Sequence, residues 1–411
     1  MIKVSTVSID ITPRIPVKLC GYVNEVRNSK YATKAHKPIY AVVLSMLIGS
    51  KRLLFISLDV LSITKEYANQ IKTAISNKYA IDVEQIHVNA IHTHSGPSGF
   101  RVDAMGKEYE SNVDYRKYVI ENIVSGMSSV FGYEIEVHCY IGKTNINGFY
   151  DNRNSSDLFF DNEAYILNFI DKNENIVASL INLNVHSTVL GPMNMEISYD
   201  LVGTVREKIS EHYKVFPYMC IGTSADISNR HFRKGDGFDE LDRTAEGISY
   251  QLLHTTSFDK IDIKDIDIRT FTYLLQYDNQ ENYCEFRNKL NGIDKELLIE
   301  KDKTKIKLLL SSRDKLETKL KIKSVKKEIV STIIRLGELT IITFPGELTS
   351  IFGKYLKEKS KTKYTFVITC CDDHHGYFIE AGLFGKCYES TATLIPKFET
   401  EHIIEELGEY L

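Results

Sequence analysis

A chain of 411 residues can bury a substantial core as one large α/β domain or two smaller ones. A net charge of −4 gives no reason to expect nucleic acid as a partner, and 43% hydrophobic with 26% charged residues is ordinary for a soluble globular protein. No apolar run approaches the ~20 residues that span a bilayer. The opening "MIKVSTVSIDITPR" lacks a signal-peptide profile. Seven cysteines without framework spacing fit a reducing compartment, so the expected location is cytoplasmic.

In chain order, "IYAVVLSMLIG" and "RLLFISLDV" are β-branched apolar runs separated by "SK" and predict a hairpin. "TKEYANQIKTAISNKYA" carries apolar residues at helical spacing, and "QIHVNAIHTHSG" returns as a buried strand. "EIEVHCYIGKTNI", "AYILNFIDKNENIVASLINLNVH" (with "DKNEN" as a hairpin turn) and "FPYMCIGTSADIS" add strands, and "SYDLVGTVREKISEHY" is a helix between two of them. Residues 279–327 are rich in Lys and Glu with leucines at helical spacing. They predict a pair of solvated amphipathic helices, or alternatively a lid or partner surface. "VSTIIRLGELTIITFPGE", "LTSIFGKYLKEKS" and "YTFVITCCDD" then repeat the order hairpin, helix, strand. That repeat suggests a duplication relating Asp59 to Glu347 and His92–Gly96 to Asp372–Gly376. The hairpins require antiparallel pairs, so the expected fold is one large α/β domain with mixed sheets and outer helices, not a doubly wound sheet.

Polar residues gather where the apolar runs end. In "NAIHTHSGPSGF", His92 and His94 are two residues apart, so on a continuing strand they share a face. Such a pair suits zinc, which takes imidazole nitrogen and prefers four ligands; satisfied strand-end histidines are the equal alternative. His186 ends "ASLINLNVH", and Glu347 follows Pro-Gly in "IITFPGELTS", where a carboxylate also suits a helix N-terminus. "GTSADISNR" offers Asp226 and Ser228, and "CCDDHHGYF" offers Asp372, Asp373, His374, His375 and Tyr377, or simply a polar loop.

The segments "IDITP", "CGY", "LLFISLDVLSI", "HTHSGPSG", "NLNVHSTVLG", "TSADIS", "FPGELT" and "HGYF…CYES" stand in the order seen in neutral/alkaline, non-lysosomal ceramidases. Residues 1–411 thus resemble the N-terminal catalytic domain of that family, with 279–327 as an insert. The resemblance implies a zinc-dependent amidase with His92, His186, Glu347 and Tyr377 as metal ligands. It places His94 beside the metal as a proton shuttle to the leaving amine. Arg153 in "YDNRNSS" resembles the family's active-site arginine, and Tyr388 in "CYES" the tyrosine facing the scissile amide. Ser228 matches a serine sometimes assigned as nucleophile, although "ADISN" lacks the glycine and proline of the family's "GDVSP".

The chemistry is coherent without the family. Amide hydrolysis at neutral pH needs an activated water, and bound zinc lowers water's pKa to about 7. The chain ends soon after "CYES", leaving no room for the β-sandwich of the long ceramidases, and no stretch stands out as a membrane-docking surface. The expected substrate is therefore a small-molecule N-acyl amide, soluble and sugar- or amino-acid-derived, with a lipid-like amide such as ceramide as the alternative. Two other readings stay open: an unrelated metal-dependent hydrolase centred on Asp372–His375, and a non-catalytic binding protein retaining the fold. The oligomeric state cannot be read from the sequence.

Overall fold

A strand that is apolar on both faces needs a packed layer on each side, and the computed structural model, which describes residues 2–22, 24–100 and 110–411, meets that demand with four layers. The elements in order are β1 (Ile2–Asp10), α1 (Glu25–Ser29), the hairpin β2 (Tyr40–Ile48) and β3 (Lys51–Leu58), α2 (Lys65–Tyr79), β4 (Ile86–Ala90), α3 (Glu110–Gly126) and β5 (Ile135–Asn145). They continue with β6 (Asp151–Asn152), the hairpin β7 (Glu163–Ile170) and β8 (Ile176–Leu183), α4 (Asp200–Tyr213), β9 (Tyr218–Ile221), β10 (Ile227–Ser228), α5 (Phe238–Leu253) and β11 (Phe258–Ile261). The rest are β12 (Asp267–Asp278), α6 (Tyr283–Leu297), α7 (Lys303–Lys319), β13 (Ser324–Leu336), β14 (Leu339–Thr343) and β15 (Glu347–Leu348). Last come α8 (Ser350–Lys359), β16 (Tyr364–Ile368), β17 (Tyr377–Phe378), α9 (Tyr388–Ala392) and α10 (Glu399–Glu409).

The first sheet runs β4-β3-β2-β1-β5-β7-β8-β9, with β11 also on β5. It is mixed: β3/β4 and β8/β9 are parallel, and its other pairs are antiparallel. The second sheet runs β12-β13-β14-β16, parallel only at β14/β16. Alternate residues of β2 enter different cores. Ala41 and Val43 pack with apolar residues of α2 to α5, such as Ile71, Val119, Val205 and Ile248. Val42, Leu44 and Met46 face the second sheet, meeting Ile334, Ile341 and Phe366. The far side of that sheet is closed by Phe352 and Leu356 of α8 and by Ile403 and Leu407 of α10. The layer order is helix, sheet, sheet, helix, the mixed α/β architecture expected.

The charged segment is a pair of contacting helices, α6 and α7, in which Leu316 is the deeply buried leucine among the described side chains. Its boundary is corrected: Asp278 pairs with Ser324, so 324–327 already belongs to β13 and the insert grows from the open end of the β12–β13 hairpin. The repeat is present as topology, since β2-β3-α2-β4 and β13-β14-α8-β16 both read antiparallel pair, helix, parallel strand. Its residue correspondence shifts. Counting from the strand ends, His92 stands two places beyond Ala90, as Cys370 stands beyond Ile368, and both have left-handed backbone (φ 61° and 52°).

Those two strand ends are joined across the sheets. Ala90 N donates to Cys370 O (3.1 Å), and Asp372 N to Val88 O (2.8 Å). The Asp372 carboxylate accepts from Val88 N (2.8 Å), meets Lys72 Nζ (2.7 Å) and lies 2.8 Å from His87 Nδ1. Burial opposes its charge, but Lys72 and then His87 hold its pKa well below the usual carboxylate range. The stability this contributes is complete above the unfolded pKa of ~3.9 and is lost as pH falls toward the folded value. Asp372→Asn, which strands Lys72, is expected to cost about 3–5 kcal/mol at pH 7. In urea unfolding that difference should narrow steadily as pH falls below ~4; an unchanged midpoint at pH 7 would remove the clamp from the account.

Candidate metal centre

The strand β4 stops at Ala90, so His92 and His94 are not on a strand face as the sequence suggested. The left-handed turn at His92 brings them together instead; their ring centroids lie 5.1 Å apart. A non-glycine residue in that conformation costs ~1–2 kcal/mol, and the His92 ring is tied down by Nδ1 donating to Leu61 O (2.8 Å). His186 lies beyond β8, its backbone N donating to Ile227 O (3.3 Å) and its Nδ1 to Ser224 O (2.7 Å). Glu347 is not in a helix first turn. It lies in β15, opposite Tyr377 of β17, with its N donating to Gly376 O (2.8 Å), and α8 begins three residues later.

These elements converge on one carboxylate. Glu347 Oε2 is 3.2 Å from His92 Nε2 and 3.1 Å from His186 Nε2, and Glu347 Oε1 is 3.2 Å from His374 Nε2. Ring nitrogens of His92, His94 and His186 lie within 4.8 Å of one another. Each Nδ1 bonded to a carbonyl carries a proton, so a neutral His92 or His186 ring turns its Nε2 lone pair toward the carboxylate. A cation would satisfy that arrangement; without one, a protonated ring donates to Glu347 instead. Both ring nitrogens of His94 are buried without a hydrogen-bond partner. The donor set, imidazole nitrogens fixed by backbone carbonyls beside one carboxylate, fits a divalent metal of the zinc type.

Without an ion the cluster balances its own charge, with His92 and Glu347 as a buried pair. Burial opposes a charge on His92, yet Glu347 and Cys370 raise its pKa well above the usual value. Burial, then His92 and His186, push His94 well below it, and burial, then Arg153, lowers His186 to about 4. Glu347, despite burial, is held far below the carboxylate range, by His92 first. Burial and Glu347 keep the Tyr377 phenol protonated.

A cavity of ≈ 820 Å³ opens onto this cluster and is lined by His92, His94, Glu347, Tyr377, Arg153 and Tyr388, with Ser228. The ladder of β6 with β10 places two of these, pairing Ser228 with Asp151 next to Arg153, whose N donates to Asp226 O (2.7 Å). Arg153 is held from behind by buried Glu389, through Nε at 2.6 Å and also through Nη2. Its guanidinium lies 5.6 Å from the Tyr377 ring centroid. Tyr388 Oη is 3.0 Å from Ser311 Oγ of α7, so the charged insert reaches the cavity. Ser228 Oγ accepts from Arg230 N (3.3 Å); no histidine within hydrogen-bond distance of it is seen among the described residues. Asp226 is committed to Ser350 and Asn152.

All eight residues anticipated from the sequence therefore belong to one region: His92, His94, Glu347, Tyr377, Arg153, Ser228 and Tyr388 line the cavity, and His186 sits buried against Glu347. The Asp372–His375 run does not converge on one point, and Asp372 instead groups with His87 and Cys371, their ligand atoms within 4.8 Å of one another. Asp372 is the clamp to Lys72 and His87, and His375 turns to Asp373, Lys327 and Glu328 O. Only His374 of that run reaches Glu347. His374 was offered by the sequence only as one member of a polar run. Two residues were not singled out: Glu389 was legible only as the residue after Tyr388, and Cys370, with Sγ 3.6 Å from His92 Nδ1, reads as an apolar strand end.

Two packed mixed sheets with helices outside, and a histidine–carboxylate cluster at their strand ends, define an α/β sandwich fold. Among solved structures it is similar to the neutral ceramidase from Pseudomonas aeruginosa, with a TM-score of 0.77 and 16% identity over 100% of this chain and 75% of that one. It is also similar to a ceramidase complexed with C2, with a TM-score of 0.73 and 14% identity over 98% of this chain and 74% of that one. No family model and no curated protein matches the sequence. The chain thus has the fold of the neutral ceramidase catalytic domain. Among the described residues no helix is long and apolar enough to cross a membrane.

Adding Zn2+ to metal-free protein is expected to raise the melting temperature with a stoichiometry of about one ion per chain. His92→Ala and Glu347→Ala should abolish the shift, and His375→Ala should keep it. Retention of the shift in the first two would move the metal elsewhere.

Proposed function

We propose that the chain is a zinc-dependent amide hydrolase, an N-acyl amidase or deacylase, with His92, His186, Glu347 and Tyr377 holding the ion. One observation carries this reading: two imidazoles, each with Nδ1 held by a carbonyl, aim their Nε2 atoms at one buried carboxylate oxygen, a donor set that a divalent ion would fill. A zinc ion bound there supplies Lewis acidity and an acidic water at neutral pH.

The protein groups do the rest. His94, neutral and without a partner, takes a proton and returns it to the nitrogen of the departing amine. Arg153, permanently charged and fixed by Glu389, and Tyr388 present donors to the oxygen that becomes negative at the former carbonyl. Tyr377, between Glu347 and Arg153, keeps the two halves of the site in register. Among the described residues no base lies within hydrogen-bond distance of Ser228 Oγ, so we assign it to substrate contact or loop support.

Release of free amine from a panel of N-acyl amides, ceramide included, tests the reading. Zinc-loaded protein should turn over at least one member. His94→Gln should lower kcat by about 10²–10⁴-fold with zinc retained, and Arg153→Gln by about 10²–10³-fold. Absence of zinc-dependent turnover on the whole panel would leave a binding protein that kept the fold.

A further inference from the structure

The cavity above the cluster is cationic, although the chain as a whole carries −4. Some of its cations are committed. Arg153 is paired with Glu389, and Arg27 donates to the carbonyls of Cys20, His94, Pro192 and Asn194. Lys18 donates to Asn28 O and Lys30 O.

Arg230, Arg233 and Lys307 are different. Each lines the cavity half-buried, and none has a carboxylate within ion-pair distance among the described residues. The acid acting on Arg230, Glu389, is already held by Arg153. The protein contacts of these cations place them around the centre. Arg230 Nη1 donates to Arg153 O (3.2 Å), and Arg233 Nη1 to Thr188 O (3.5 Å), two residues past His186. Lys307 Nζ sits 4.1 Å from the centroid of Tyr22, whose ring is 4.9 Å from that of His94. Burial, followed by the charges of Arg233 and Arg230, lowers Lys307 to about 7, a sign of crowding without compensation. Three like charges converging in a half-buried cavity are costly to the protein alone. An arginine fork is suited to a carboxylate or phosphate.

We propose that Arg230, Arg233 and Lys307 form an anion subsite, so that the preferred substrate is an acyl amide whose amine portion carries a carboxylate or a phosphate. This rests on the amidase reading. The anion is placed on the amine side because Lys307 lies over Tyr22, whose ring packs against His94, the residue assigned to protonate the departing nitrogen. The neutral headgroup of ceramide has nothing to offer these cations.

The test uses three matched compounds on the full chain: N-hexanoylglycine, its neutral primary amide, and N-hexanoyl-phosphoethanolamine. Calorimetric binding to metal-free protein is measured beside kcat/KM of the zinc-loaded protein. At least one anionic member should bind the wild type about tenfold or more tightly than the neutral amide, a preference weakened by salt. The member that binds better identifies carboxylate or phosphate. Arg233→Gln and Lys307→Gln should each collapse the ratio of anionic to neutral binding, and Arg233→Lys should restore part of it, which loss of folding would not do. Equal binding of all three compounds by wild type, or a ratio unchanged in both variants, would overturn the subsite. If no amide is turned over but the binding ratio stands, the amidase reading falls and the anion subsite survives.

Discussion

The structure depends on one carboxylate outside the Glu347 cluster. Asp372 lies where the end of β4, from the large sheet, meets the end of β16, from the small one. It accepts from Val88 N while facing Lys72 and His87. Two sheets packed through an apolar layer have no directional reason to hold one relative position, since hydrophobic burial is non-directional. The hydrogen bonds and buried ion pair at Asp372 supply that direction, and they do so beside the turn carrying His92 and the segment carrying His374. The polar run after β16 is therefore divided: Asp372 fixes the sheets, and His374 meets the centre.

The centre is built by constraint rather than by proximity alone. A free histidine at Glu347 would rotate to present an N–H. Here Leu61 O and Ser224 O hold the Nδ1 protons of His92 and His186, so rotation would leave a buried carbonyl unpaired. Each ring is thereby held with its Nε2 toward Glu347. On the other wall, Glu389 does for Arg153 what the carbonyls do for the histidines, fixing a charged donor at the cavity.

The insert between β12 and β13 shows how an addition at a hairpin end can alter a site without disturbing the sheets. Most of its apolar residues are only partly covered, yet α7 places Ser311 against Tyr388 and Lys307 over Tyr22. With Arg230 and Arg233, from the segment after β10, this concentrates positive charge in one cavity. An overall charge of −4 averages that away. Net charge reports on the surface met by a macromolecule, whereas a cavity focuses the few charges that line it.

Much of this was readable in the sequence. Residues apolar on alternate or on both faces fixed the hairpins β2–β3, β7–β8 and β13–β14 and the helices α2, α4 and α8, because period and turn chemistry are local. His92, His94, His186, Glu347 and Tyr377 stood out as polar groups ending apolar runs, and their order matched a known family. The sequence could not separate Asp372 from His374 in a single polar run. It did not reveal that β4 stops short of His92, that Glu389 backs Arg153, or that Lys307 of a solvated-looking helix enters the cavity. These are contacts between residues tens to hundreds of positions apart. A side chain's type and spacing set what it can bind, but only the packing of sheet on sheet decides which partner it meets and whether water is excluded there.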